Sequence, residues 1–177
     1  MIECVEKSDG LAVTLEYVKG HLRLETPDED LYLEQLIRAA TELCEKSTQR
    51  TLLFKTYRRL YIPRDEGESL RQIDLYYPPL INIHSVRRVF KGDKYENVQR
   101  YMLTPSTYRP RITVWGCAVE VIYKTGYGDK PKDIPDGLRQ AITMMVAEMY
   151  EKRTDGVDVF SKTVEMLLQP YRVRPCL

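Results

Sequence analysis

The sequence predicts an α+β protein in which two long and two short amphipathic helices form a core and an antiparallel β insertion lies between the long ones. Apolar residues recur at three- and four-residue intervals near residues 27–47 and again after Ile134. Between Leu52 and Tyr127 that period gives way to β-branched and aromatic runs broken by turn residues. This middle stretch contains no helical crossover of about a dozen residues, so its strands must pair antiparallel.

Thr14 caps a short helix over Leu15 to Leu22, with Leu15, Val18 and Leu22 on one face. Thr26-Pro27-Asp28-Glu29 reads as a helix start, with Thr26 as N-cap, Pro27 in the first helical position and Glu29 closing a capping box. The long helix that follows, about Pro27 to Ser47, carries Leu33, Leu36, Ile37, Ala40, Leu43 and Cys44 along its apolar stripe. Its acidic first turn, Asp28, Glu29 and Asp30, suits the helix dipole.

Strands are expected at Leu52 to Ile62, Gln72 to Tyr77, Ile83 to Phe90, Tyr101 to Thr104, Thr107 to Val114 and Val119 to Lys124. Arg64 to Glu68, Lys91 to Lys94 and Gly126 to Asp129 supply turns. Helix returns at Ile134-Pro135-Asp136, where Leu138, Ala141, Ile142, Met145, Val146 and Met149 make a wide stripe. Lys152 and Arg153 close it, and Thr154-Asp155-Gly156 ends it. Ser161 caps a last helix carrying Val164, Leu167 and Leu168, which Pro170 stops. The stripes of the two long helices predict that Leu36, Ile37, Ala40, Leu138, Ile142, Val146 and Met149 meet in one core.

The 177 residues are enough for one ordinary domain spanning 1–177, with a helical core at about 12–50 and 133–170, the β insertion at about 52–127 and a flexible tail at 171–177. Hydrophobic residues at 43% and charged residues at 30% are globular values, which excludes a disordered or fibrous chain. A net charge of +1 lacks the basic excess of a dedicated phosphate-backbone binder. No signal-like N-terminus and no apolar run near the roughly 18 residues of a spanning helix is present, so a soluble, cytoplasmic protein without membrane contact is expected.

Chemistry has little to build on. His21 and His84 are the two histidines and lack ligand-spaced neighbours. Cys4, Cys44, Cys117 and Cys176 form no C-x-x-C pair and read as reduced thiols. Gly126-Tyr127-Gly128-Asp129-Lys130-Pro131 superficially suggests a phosphate loop, but it lacks a third glycine and an immediate helix, so it reads as a turn. No catalytic residue, metal ligand or cofactor site is assigned. Tyr57-Arg58-Arg59, Tyr108-Arg109 and Tyr171-Arg172 interleave aromatic and basic residues, as stacking surfaces for single strands and protein interfaces both do. Cross-strand packing is the simplest role for Tyr57, Tyr61, Tyr76 and Tyr101.

Several stretches, in order, resemble the head-tail connector (adaptor) family of tailed bacteriophages, prophages and gene transfer agents. Val13 to Leu24, Asp28-Glu29-Asp30 and Leu33 to Ala40 resemble the family's opening helices. Pro78 to Val86 is similar to a proline-led strand of its longer members, and Val121 to Gly128 to the strand and turn before the second long helix. Ile134 to Ile142, Tyr150 to Arg153 and Leu167-Leu168-Gln169-Pro170-Tyr171-Arg172 complete the series.

The resemblance implies a non-enzymatic structural protein of the virion neck, made in the host cytoplasm. It would form a ring, dodecameric in the virion, beneath the portal protein and above a stopper or tail-completion protein, and viral DNA would cross its channel without sequence-specific binding. It also makes Leu167, Leu168, Tyr171 and Arg172 candidates for a portal or ring interface, against the plainer role of Leu167 and Leu168 in core packing. Three alternatives make different demands. A stopper would be a small β-barrel, an enzyme would gather ionisable groups in a pocket, and a nucleic-acid module would use the Tyr/Arg-rich sheet.

Overall fold

The computed structural model describes residues 1–63, 69–90, 94–116, 118–152 and 160–173. The turns at Arg64 to Glu68, Lys91 to Asp93 and Thr154 to Gly156, together with Arg153, Cys117, Cys176 and the tail after Val173, lie outside the described residues. Two compact units form, one from Met1–Ser8 and Phe54–Gly126, the other from Asp9–Leu53 and Tyr127–Leu177.

The first unit is all β. Its strands are β1 (Ile2–Lys7), β2 (Lys55–Tyr61), β3 (Ser69–Asp74), β4 (Leu80–Phe90), β5 (Lys94–Asn97), β6 (Met102–Thr104), β7 (Arg111–Gly116) and β8 (Ala118–Thr125). They form a five-stranded sheet in the order β1-β2-β8-β4-β5 and a three-stranded sheet in the order β3-β7-β6, with antiparallel pairing throughout. Alternation along each strand decides what is buried. Val119, Val121 and Tyr123 of β8 join Tyr57, Val86, Ile73, Leu75, Ile112 and Val114 in one apolar core fed by both sheets.

On the other face of β8, Glu120 is buried and accepts a hydrogen bond from Arg87 Nε at 2.9 Å, while the Arg87 guanidinium lies 4.9 Å from the Tyr95 ring. Burial pushes the Tyr123 hydroxyl up from its ordinary value, an effect the nearby Arg59 charge opposes.

Four departures from the sequence reading stand out in this unit. Strand β1 has no hydrophobic alternation; its residues after Ile2 are exposed, and its antiparallel register with β2 and the Glu3–Arg58 ion pair at 2.5 Å hold it at the sheet edge. Residues from Lys94 form β5 on β4, although Lys94 itself was expected in a turn. The strand expected from Thr107 begins at Arg111, because the Ser106 hydroxyl accepts the Tyr108 and Arg109 amides at 3.2 and 3.0 Å and curls that backbone into a turn. Strand β3 stops at Asp74 rather than Tyr77, where a positive φ of 62° takes the backbone out of extended geometry.

The second unit is helical: α1 (Leu15–Leu22), α2 (Asp30–Thr48), α3 (Asp136–Glu151) and α4 (Lys162–Leu168). Thr14 caps α1 by accepting the Tyr17 amide at 3.2 Å, and Ser161 caps α4 by accepting the Val164 amide at 3.4 Å. The capping box expected at Thr26 does not form. Helix α2 starts at Asp30 with Glu29 as an N-cap lacking a side-chain bond, because the Glu29 carboxylate accepts the Tyr150 hydroxyl instead. Pro135 is the N-cap of α3.

Ile37, Ala40, Leu138, Ile142 and Val146 are fully buried in one cluster, with Leu36 and Met149 packed on its margin. Leu43, expected on the stripe, is exposed; the stripe runs through Ala40, Cys44 and Thr48 instead. Burial pushes the Cys44 thiol up to about 12.

Candidate interaction surface

Residues 167–173 are fastened to the helical unit. Leu168 is 2% exposed within the core and Leu167 packs against it half-buried. Beyond Leu168 a 3₁₀ turn over Gln169–Tyr171, with Pro170 inside it, ends the helix. The Tyr171 ring lies over Gly137, where an added Cβ would stand 3.0 Å from the tyrosine hydroxyl oxygen. The Tyr171 carbonyl accepts Arg50 Nε at 2.5 Å, and Arg50 is itself buried. Arg172 reaches Ser47 Oγ at 3.2 Å, and the Val173 amide donates to the Thr48 carbonyl at 2.9 Å.

Of the four interface candidates, Leu168 is therefore inside the unit, Leu167 and Tyr171 are half-buried and Arg172 is exposed. Arg172 and Val173, expected in a loose tail, are tied to the end of α2.

Arg50 is the residue that sequence reasoning missed. It also hydrogen-bonds the Tyr127 side chain, whose hydroxyl burial pushes upward while the Arg50 charge opposes that shift. Leu52 lies between these groups and pairs its carbonyl with the Tyr127 amide at 2.9 Å, while the Glu45 carboxylate accepts the Leu52 amide at 2.9 Å. One buried arginine thus ties the end of the C-terminal turn to Tyr127. Its signal in the sequence was only a charge after a helix C-terminus, where cations are common.

The glycine turn has a packing role. A Cβ at Gly128 would clash with the Asp133 carboxylate, which accepts the Lys130 amide at 3.1 Å. Glycine is required because Asp133 fills that space. His21 and His84 are both exposed. Among the described residues, no three His, Cys, Asp or Glu side chains gather to hold a metal ion, and no helix is long and apolar enough to cross a membrane.

In the first two Tyr/Arg runs, Tyr57 and the arginines are engaged within the protein. Tyr57 is buried against Tyr77 and Tyr123, with ring centroids 5.0 and 6.1 Å away. Arg58 is paired with Glu3, the Arg59 guanidinium sits 4.3 Å over the Tyr76 ring, and Arg109 faces Asp74 at 4.0 Å. These arginines are engaged by the protein itself, whereas single-strand binding needs basic and aromatic groups left open to the solvent.

Residues 12–77 match the model of the phage gp6-like head-tail connector protein family. Over these residues the chain is similar to that family. Its whole fold matches a chain in the neck of an empty gene transfer agent particle computed with C6 symmetry, with TM-score 0.83 and 25% identity, covering 100% of this chain and 97% of that one. A chain in the virion of a native gene transfer agent particle gives TM-score 0.80 at 26% identity over 100% and 97% of the two chains. The neck of the native particle, computed with C12 symmetry, matches in fold at 24% identity and TM-score 0.80, again over 100% and 97%. Comparison with curated proteins gives no match.

Proposed function

We propose that this protein is a structural adaptor of the neck of a tailed-phage-like particle, one protomer of a ring that continues the DNA channel below the portal. The carrying observation is the match of its whole length to a chain of a gene transfer agent neck, together with the connector family match over residues 12–77. Non-catalytic work of this kind needs lateral contacts that close into a ring, and a cyclic assembly obtains them by presenting two unlike surfaces on every copy. In this reading DNA crosses the channel without sequence-specific contacts, and a stopper or tail-completion protein binds beneath.

Portal contact is assigned to the C-terminal turn. Leu167 and Leu168 anchor the turn on the helical unit, while Tyr171 and Arg172 offer the rigid aromatic and guanidinium groups that interfaces favour. Purified protein added to portal-bearing particles that lack the adaptor should appear by electron microscopy as added symmetric density on the portal. Arg172→Glu should reduce that binding with no change in thermal unfolding. Particles that stay bare with the wild-type chain would refute the adaptor reading, and full binding by Arg172→Glu would refute the role of the turn.

A further inference from the structure

Each unit exposes apolar side chains that its own core does not use, among them Leu70, Met102 and Trp115 in the β unit and Leu31 in the helical unit. In the three-stranded sheet, Leu70 of β3 stands directly opposite Trp115 of β7, and Met102 of β6 stands opposite Thr113, two residues along β7. Cross-strand partners share a face, and residues two apart on one strand do too. Leu70, Trp115 and Met102 therefore lie on the face opposite Ile73, Ile112 and Val114, which fill the β core. They are 64%, 52% and 62% exposed. The border is net positive: Arg109 and Arg111 share Asp74, and Arg88, whose Nε donates to the Trp115 carbonyl at 3.1 Å, pairs with Glu96.

On the helical unit, Leu31 in the first turn of α2 is 79% exposed. It sits in residues 24–37, a stretch with five acidic residues and no basic one. Two of these acids are engaged, Glu29 by Tyr150 and Asp30 by Lys19 at 2.7 Å, while Glu25 and Asp28 remain exposed. An exposed leucine in an acidic surround and an exposed tryptophan in a basic surround are complementary in both apolar contact and charge.

We propose that these two surfaces bind each other between neighbouring copies, the Trp115 face of one protomer receiving the Leu31 face of the next. The proposal rests on the adaptor reading and names its lateral partner. The surfaces are unlike, so the contact is heterologous, and repetition about an axis closes it into a ring. The necks that contain matched chains are computed with C6 and C12 symmetry, closed rotational arrangements of the kind such a contact generates.

The test uses the full chain in sedimentation velocity over a rising concentration series, with Trp115→Glu and Leu31→Arg prepared separately. Both positions are exposed, and unchanged thermal unfolding verifies that each variant folds. The wild-type chain should associate as concentration rises, and each variant should associate about thirtyfold more weakly, the loss expected on removing one interface anchor. Mixing the variants is diagnostic. The Trp115→Glu copy keeps its Leu31 face and the Leu31→Arg copy keeps its Trp115 face, so an equimolar mixture should form dimers and nothing larger.

Wild-type protein that stays monomeric throughout, or variants that associate like the wild type, would overturn the proposal. Binding to portal-bearing particles separates this result from the adaptor reading. If both variants complete rings on the portal, the lateral surface is wrong and the adaptor reading stands. If the wild type self-associates but never binds the particles, the adaptor reading fails on its own.

Discussion

Two residues of α4, separated by one position, discriminate a packed C-terminal helix from one held ready for a partner. Leu168 is 2% exposed and Met166 is 64% exposed. Replacing Leu168 with Ala removes three buried carbon atoms, worth about 2.4 kcal/mol of transfer free energy at ~0.8 kcal/mol each. The cavity left between α4 and the helical cluster raises the total to about 3 kcal/mol, because the surrounding core relaxes only in part. Met166→Ala should change stability by no more than about 0.5 kcal/mol, as for other exposed positions. Urea unfolding followed by far-ultraviolet circular dichroism at the helical wavelength gives both numbers, provided the helical transition is fitted separately from that of the β unit. A Leu168→Ala cost below about 1 kcal/mol, or equal costs at the two positions, would refute the account of the C-terminal turn as an anchored element.

Ile142→Asp places a carboxylate in a fully buried position and should abolish the helical unfolding transition, which circular dichroism of the purified variant checks. Arg87→Ala should cost about 3 kcal/mol because it strands the buried Glu120 carboxylate, and adding Glu120→Gln should restore most of that loss in a double-mutant cycle. Gly128→Ala should lower the melting temperature, since its Cβ meets Asp133, and Asp133→Ala in the same chain should relieve part of the clash.

Alkaline pH should destabilise the helical unit. The Cys44 thiol is pushed from its ordinary 9.0 to about 12 by burial, so from about pH 9 the unfolded chain loses a proton that the folded chain retains. Stability is complete below pH 9 and falls by up to about 1.4 kcal/mol per pH unit toward pH 12, and Cys44→Ala should flatten that slope in thermal melts. Native Cys44 should also resist alkylation at pH 8 while the exposed Cys4 reacts, as mass spectrometry of the labelled peptides would show.

The sequence by itself determined the four helices and most of the strands, because their signals are local. Thr14 and Ser161 cap where a hydroxyl next to an apolar period predicts. The stripes of α2 and α3 bury Ile37, Ala40, Ile142 and Val146 because a 3.6-residue period leaves a helix one face to hide. The connector resemblance was legible for the same reason, being carried by helix and turn segments in a fixed order.

Whatever depended on a partner distant in the sequence was decided only by tertiary structure. Strand β1 lacks alternation and exists through its pairing with β2, about fifty residues away. The capping box at Thr26 was lost because Glu29 is engaged by Tyr150, 121 positions further on. Arg50 became a buried junction only when Tyr171 and Tyr127 came to it. Which of Leu70, Met102 and Trp115 would face the solvent was likewise beyond local reading, since a strand offers two faces and only the register with its neighbours says which one the core takes.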